Sequence, residues 1–360
     1  MTLKITQLMI SKGFGGAERL FIDMSLALAE TGVKVQAICH QDFVKKTALH
    51  HPDIMPVFIN VRGIWDIFAA RHITRAIRDF QPAVIHSHLA RGAWFAGHAA
   101  RTLGIPLAVN LHNYVKLKYY RDAVMFVPGT EDQKQYLMQH GIASQRIQVI
   151  PHFSLLNPVA QLRASDSTCP IFVSYGRMVK KKGFDVLLQA FRIILDQGVT
   201  ARLIIGGDGP ERAMLVALVQ QLDLASRVEF HGWVDDVAAF LDNGDIFVLP
   251  SLDEPFGIVV LEAMARGKTI ISTKTKGPIE VLNDRMAYFA EVGDAISLAN
   301  AMTVALNDVQ ANISNVNVTN TTVSKAVAAL ASYRSHYSKQ AVMPQFIDLY
   351  ERMIAGPRRD

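Results

Sequence analysis

The chain has 360 residues, of which half are hydrophobic and 19% are charged, and its net charge is +5 at pH 7. This balance excludes a disordered or fibrous protein and is typical of a globular one. The length exceeds one ordinary core, so at about 150 residues per domain it predicts two domains.

The first residues and the cysteines indicate a cytoplasmic protein. Residues 1–10 are too short and polar for a signal peptide, and no stretch approaches the roughly 18 apolar residues of a membrane span. Cys39 and Cys169 lie far apart in sequence, which argues against a disulfide framework. The positive charge permits an anionic partner such as a nucleotide diphosphate or an anionic membrane. Without a zinc-finger, RNA-binding or helix-turn-helix pattern, nucleic acid is not expected.

Short apolar runs alternate with segments of helical period through the first half of the chain. In residues 17–31, for example, Leu20, Met24 and Leu28 lie on one stripe, and Gly32 is a stop signal. Strands that alternate with helices in this way predict a parallel sheet. The predicted strands are 4–10, 33–40, 84–87, 106–110 and 123–127, and the predicted helices are 17–31, 65–80, 90–103 and 130–140.

The alternation stops at residues 153–170, which are rich in Pro, Asn, Ser, Asp and Thr and read as a linker. It then restarts, so the second half predicts a second open α/β domain. Residues 307–322 show little helical period, and a last amphipathic helix is predicted at 343–354. The strands predicted after the linker are 171–175, 201–206, 228–231, 246–249 and 269–272, with helices starting near Lys182, Pro210, Val234, Phe256 and Ala295.

A glycine-rich turn, residues 13–18, joins the first strand to the first helix. Free N–H groups and the helix dipole favour a phosphate there, and glycine permits its close approach. Glu18 stands where the dinucleotide fingerprint requires its third glycine, which disfavours NAD. The alternative is a tight turn without a ligand.

A second loop, residues 174–183, carries four cations and also joins a strand to a helix. Arg177 can make a forked contact to two phosphate oxygens, and Lys182 can act as a point charge. Together they are suited to neutralise a leaving diphosphate without Mg²⁺. A solvated basic loop is the alternative.

Two glutamates, Glu254 and Glu262, lie eight residues apart around the start of a predicted helix. Eight residues are about two helical turns, so both carboxylates can face one cleft roughly 10 Å apart along the axis. That spacing suits two hydroxyl-bearing parts of one long ligand. The alternative, a salt-bridged surface face, is disfavoured by the apolar run 258–261.

In chain order, Gly15–Glu18, Gly176–Gly183, Gly206–Glu211 and the pair Glu254/Glu262 resemble the motifs of the group 1 (GT4) glycosyltransferases of GT-B fold. The resemblance covers nearly the whole chain. It implies two Rossmann-like domains with parallel sheets that face each other across an interdomain cleft. The expected divisions are an acceptor domain at 1–165, a nucleotide-sugar donor domain at 166–340, and a final helix at 341–360 that packs back on the first domain.

The resemblance also implies a retaining, metal-independent transfer of a hexosyl residue from a nucleotide sugar, expected to be a UDP-sugar. The acceptor would be a saccharide or a lipid-linked glycan of lipopolysaccharide or the cell envelope, and no cofactor beyond the donor is implied. In the front-face displacement, the departing diphosphate takes the acceptor proton. The implied donor-binding residues are Gly15, Gly16, Arg177, Lys182, Gly207, Glu254, Phe256, Gly257 and Glu262, and the implied catalytic residues are Glu254, His112, Arg177 and Lys182.

The histidines leave alternatives open. His112 matches the family histidine that contacts the sugar, although a lone histidine is often structural. His86 and His88 share one face of a strand end, where lining of an acceptor site is favoured over metal ligation because no carboxylate or cysteine lies nearby in sequence.

The chain departs from the family pattern in two places. Lys276–Glu280 has one glycine and a proline where two glycines are usual, and Pro128–Thr130 lacks the usual serine. Two other functions stay open: a nucleotide-sugar 2-epimerase of the same fold, and a catalytically silent glycan-binding or scaffold protein.

The predicted helix 65–80 carries aromatic and basic side chains from Trp65 to Arg78. Such a helix either rests on an anionic membrane or packs as an ordinary amphipathic helix on the sheet. We therefore expect a cytoplasmic protein that makes peripheral membrane contact if the first alternative holds.

Overall fold

The computed structural model describes residues 2–114, 116–162, 169–314 and 325–356. The chain forms two compact units. The first comprises the chain up to Leu155 and again from Tyr337 onward, and the second runs from Leu156 to His336. The C-terminal helix, Lys339–Ala355, therefore belongs to the same unit as the N-terminal half.

The first unit has a six-stranded parallel sheet of Rossmann order, β3-β2-β1-β4-β5-β6. Its central strands are continuously buried because helices cover both faces of a parallel sheet. The elements are β1 Lys4–Met9, α1 Gly16–Glu30, β2 Lys34–His40, β3 Ile54–Ile59, α2 Ile67–Phe80, β4 Val84–His88, α3 Leu89–Leu103, β5 Leu107–Leu111, β6 Met125–Pro128 and α4 Glu131–Gln139.

The second unit repeats this design with the order β12-β11-β10-β7-β8-β9. The described chain continues after the helix Lys325–Ser332 through a π-helical turn, Tyr333–Tyr337, to the C-terminal helix. The elements are β7 Ile171–Tyr175, α5 Phe184–Asp196, β8 Arg202–Gly206, α6 Arg212–Gln221, β9 Val228–Gly232, α7 Val237–Asp242, β10 Ile246–Leu249, α8 Ile258–Ala265, β11 Thr269–Thr273, α9 Pro278–Val281, β12 Ala287–Ala290, α10 Ala295–Ser314 and α11 Lys325–Ser332.

The α/β fold with two parallel sheets is confirmed, but one edge strand in each sheet was not predicted from the sequence. β3 contains Pro56 and leaves Met55 and Phe58 exposed, so it lacks the buried apolar pattern of the central strands. β12 is only four residues long. The helix α10 also extends into the segment predicted to lack helical period, whose residues 315–322 lie outside the described part of the chain.

None of the described helices has both the length and the apolar character needed to span a bilayer.

Candidate functional site

Four connections of the second unit meet at one edge of its sheet. They follow β7, β8, β10 and β11, which are consecutive neighbours in the order β11-β10-β7-β8. Because the strands are parallel, all four connections leave the sheet at its carboxyl edge, where open α/β sheets bind ligands. The predicted residues Arg177, Lys182, Gly207, Glu254, Phe256, Gly257 and Glu262 all lie on these connections or on the helix that follows β10.

Lys182 and Glu254 form an ion pair at this edge, although 72 residues separate them in sequence. The ammonium donates to Oε2 of the glutamate, and the two side chains are only 17% and 11% exposed. A charge that has lost most of its water needs a partner of opposite charge. The structure thus brings the predicted cation and the first predicted carboxylate together.

Arg177 differs from Lys182 because its side chain points to solvent. It is exposed, and among the residues that the structure describes its guanidinium has no hydrogen bond or ion pair. Its neighbour Lys180 pairs with Asp185 at 2.5 Å. The basic loop therefore combines one cation held by Glu254 with the exposed guanidinium of Arg177, which is available to an anion.

The backbones of these connections touch where glycine allows it. A Cβ at Gly207 would lie 2.0 Å from the carbonyl oxygen of Gly176, and a Cβ at Gly183 would lie 2.1 Å from that of Pro250. Both glycines have positive φ angles, +116° and +65°. The family resemblance implies a donor contact at Gly207, whereas this backbone packing arises only in the folded structure.

The turn before α8 is also built on close backbone contact. Gly257, with φ +91°, precedes the helix, and no side chain caps the helix N-terminus. Gly277 donates its N–H to the carbonyl oxygen of Glu254 at 2.9 Å, and a Cβ on Gly277 would lie 2.3 Å from Cα of Phe256. The one glycine kept in the atypical 276–280 segment thus supports the turn that carries Phe256 and Gly257.

Glu262 is buried inside α8 and accepts a hydrogen bond from the hydroxyl of Tyr175. The ring of Tyr175 packs edge-on against Phe240 and Phe247. Tyr175 ends β7, so it joins two of the connections. No role was predicted for Tyr175, because nothing in the sequence relates it to a glutamate 87 residues away.

The glycine turn of the first unit leads into α1, which starts at Gly16 with Gly15 at its N-cap position. No side chain caps this helix, so its first N–H groups remain suited to an anion. Ser11 donates to the carboxylate of Glu18 at 2.6 Å, beside the turn. The predicted strand-turn-helix context is confirmed, whereas the phosphate contact stays a prediction.

His112 follows β5 and closes a group of buried polar side chains. Its Nε2 lies 3.1 Å from Nδ1 of His88, whose Nε2 lies 2.8 Å from Oε1 of Gln7. Burial lowers the pKa of His112 to about 4, and it also holds the pKa of His88 well below the usual range. Both imidazoles are therefore neutral near pH 7.

His86 and His88 do not line a surface, which corrects the acceptor-lining interpretation. Both rings are fully buried and stacked 5.3 Å apart. The ring nitrogens of His86 lie 2.6 Å from the hydroxyl of Tyr350 and 2.9 Å from Oδ1 of Asn110. In the part of the chain that the structure describes, no group of three or more His, Cys, Asp or Glu side chains is arranged to hold a metal ion.

Comparison with known families matches each half of the chain. Residues 161–317 match the family described as glycosyl transferases group 1, and residues 14–153 match glycosyltransferase family 4. The lipopolysaccharide core biosynthesis glycosyltransferase LpsD of Rhizobium meliloti (strain 1021) is 29% identical, over 95% of this chain and 96% of its own. LpsE of the same strain is 30% identical, over 83% and 88%.

Solved structures show the same fold at lower identity. A glycosyltransferase from Rickettsia africae ESF-5 is 17% identical, with a TM-score of 0.81 over 100% of both chains. Anabaena Alr3699/HepE, in a structure with UDP and glucose, is 19% identical, with a TM-score of 0.81 over 97% of this chain and 99% of that one.

Proposed function

The chain belongs to the group 1 glycosyltransferases, and we propose that it transfers a hexosyl residue from a nucleotide sugar, specifically a UDP-sugar, with retention of configuration. The acceptor is a saccharide or a lipid-linked glycan in the synthesis of lipopolysaccharide or another envelope glycan. Two relatives of nearly the same length that act in lipopolysaccharide core biosynthesis support this acceptor class. The Anabaena structure with UDP and glucose supports the donor class.

The observation that carries the proposal is the Lys182–Glu254 pair beside the available Arg177. A nucleotide sugar presents anionic phosphates and neutral hydroxyls. When the diphosphate binds Lys182 and Arg177, the Glu254 carboxylate is released to accept from the hydroxyls of the transferred sugar. The same two cations then stabilise the negative charge that grows on the departing diphosphate.

The chemistry requires no protein nucleophile and no metal in this proposal. The bond from the anomeric carbon to the diphosphate oxygen breaks as the acceptor oxygen bonds to the same face of that carbon, and a diphosphate oxygen takes the acceptor proton. Glu262 binds the ribose hydroxyls. The donor can come close to the backbone at Gly207, Phe256 and Gly257. In the first unit, the backbone of Gly15 and Gly16 binds a phosphate, and His112 contacts a sugar.

The first experiment is a thermal-shift panel of UDP, GDP, ADP and their sugars, with EDTA present. A ligand at 100 times its Kd stabilises the native state by about 2.7 kcal/mol, so one nucleotide family is expected to raise the melting temperature by several degrees. Glu262→Ala should abolish the shift. Glu229→Ala, which changes a 48% exposed glutamate of the same unit, is the matched control and should retain it.

The panel also separates the other functions. If no nucleotide shifts the native protein, the donor site is refuted and a silent scaffold becomes the better explanation. If a nucleotide sugar binds and is converted to its epimer without any acceptor, the chain is an epimerase. A shift that requires a divalent cation would refute metal independence.

We propose further that the N-terminal end of α2 touches an anionic membrane. The helix packs on the core through Ala69, Ile73 and Ile77, as the ordinary amphipathic interpretation predicts. Trp65 and Phe68 are nevertheless 80% and 67% exposed, beside exposed arginines. Aromatic side chains next to cations are typical of an interfacial segment.

Sedimentation with vesicles tests this contact. We expect binding to vesicles with anionic lipid, little binding to neutral ones, and a severalfold loss of binding in Trp65→Ala/Phe68→Ala. Trp233→Ala removes a tryptophan that is 46% exposed in the other unit and should bind normally. Equal loss in both variants would contradict a specific surface.

A further inference from the structure

Six polar side chains of the first unit form one continuous hydrogen-bonded chain that ends at His112. Five of them are completely buried, so water cannot replace a missing partner. Most members of this hydrogen-bonded chain lie on the neighbouring strands β1, β4 and β5, and the C-terminal helix supplies the hydroxyl of Tyr350. In spatial order, the members are Asn110, His86, Tyr350, Gln7, His88 and His112.

The hydrogen bonds in this network all run in one direction, because each inner member donates to one neighbour and accepts from the other. A neutral imidazole has one N–H and one acceptor nitrogen. Oε1 of Gln7 can only accept, so Nε2 of His88, 2.8 Å away, carries the hydrogen. Nδ1 of His88 is then an acceptor, and Nε2 of His112, 3.1 Å away, must donate to it.

The other half of the chain agrees with this direction. Nε2 of Gln7 lies 3.4 Å from the hydroxyl of Tyr350 and donates to it. That hydroxyl donates to Nδ1 of His86 at 2.6 Å. Nε2 of His86 is left to donate to Oδ1 of Asn110 at 2.9 Å. All five contacts are satisfied at once.

We infer that Gln7, acting through His88, is a positioning residue that holds His112 in the Nε2–H tautomer, with Nδ1 as an acceptor for a substrate hydroxyl. No residue that the structure describes hydrogen-bonds to Nδ1 of His112, and this imidazole is the one member of the chain that is partly exposed. The contact of Nδ1 with a substrate hydroxyl rests on the proposed function, whereas the tautomer of His112 is a property of the unliganded protein and does not depend on that function.

The tautomer is measured directly by two-bond proton–nitrogen correlations of the histidine rings in the unliganded protein, with His112→Gln to assign the signals. We expect a single neutral form of His112 protonated at Nε2 near pH 7. The Nδ1–H form, or a mixture of the two, would overturn the inference whether or not the protein is a glycosyltransferase.

A matched pair of variants tests whether Gln7 fixes the tautomer of His112. Gln7→Met removes the acceptor at similar size and is expected to give a mixture of His112 tautomers and about a tenfold loss of kcat, with little change in the KM of the donor. Gln36→Met makes the same change at a buried glutamine of β2 that bonds Thr6 and Ala76 instead, and should leave the tautomer and the rate intact.

The ring spectra keep the test decisive if Gln7→Met is less stable. A folded Gln7→Met protein with His112 still wholly in the Nε2–H form would refute the role of Gln7. A changed tautomer with an unchanged rate would refute the proposed contact with substrate and leave the structural inference standing.

Discussion

Lys182→Met is expected to lower kcat/KM by roughly 10²- to 10³-fold, the usual loss when one preorganised group opposite a developing negative charge is removed. The methionine keeps most of the volume and lacks the ammonium. Lys182 is only 17% exposed, so water screens its charge poorly and its interaction with a bound diphosphate is strong. Initial rates with the donor chosen by the nucleotide panel give the measurement.

Lys181→Met is the matched control for this prediction. Lys181 is the exposed neighbour, and in the described part of the chain its ammonium forms no ion pair, while its backbone carbonyl keeps the contact to Leu252. We expect less than a threefold change, the size of a solvent-screened surface charge. Equal losses in the two variants would mean that the loop contributes only general positive charge.

A loss of stability must be separated from this loss of activity. Lys182→Met leaves the Glu254 carboxylate largely buried without its cation, which is destabilising. Lys182→Met/Glu254→Gln removes both charges, so the melting temperature should return toward that of the native protein while the activity stays low. If activity also returned, the pair would be structural and the cation would not act on the donor.

Gly207→Ala is expected to destabilise the second unit by about 3 kcal/mol or more, or roughly 6–12 °C in melting temperature for a unit of this size. Its Cβ would lie 2.0 Å from the carbonyl oxygen of Gly176. Neither side can yield easily, because Gly176 N donates to Gly206 O at 3.1 Å and Gly207 N to Gly232 O at 2.5 Å. Urea or thermal unfolding of the native and variant proteins measures the change.

Gly198→Ala separates the two causes of this loss. Gly198 also has a positive φ, +86°, but an added Cβ would meet nothing within 4 Å. Only the backbone penalty remains, about 1 kcal/mol. Similar losses at both positions would show that the contact between the connections after β7 and β8 does not constrain the site.

The strands show how much of the fold could be predicted from the sequence. β7 and β10 were predicted with the bounds that the structure has, since a central strand of a parallel sheet is a continuous apolar run. The edge strands β3 and β12 were missed because an edge strand is half exposed and carries little of that signal.

The residue types of the site could be predicted from the sequence, but their pairing partners could not. Lys182, Glu254 and Glu262 were singled out from their spacing and their resemblance to a family. Nothing local indicates that Glu254 pairs with Lys182, or that Tyr175 donates to Glu262, because those partners lie 72 and 87 residues away.

Local sequence was enough to predict the α/β class, the two-part division, the order of most elements and the charged side chains near the strand ends. These follow from periodicity and turn chemistry within a few residues. The folded structure was needed to show which backbones touch at Gly207, which carboxylate pairs with Lys182, and that Gln7 and Tyr350 hydrogen-bond to the histidines. Those contacts depend on sheet order and on the return of the C-terminal helix, which brings Tyr350 to His86 across 264 residues. Such long-range pairing leaves no mark on the local sequence because its energy is gained only after the chain has folded.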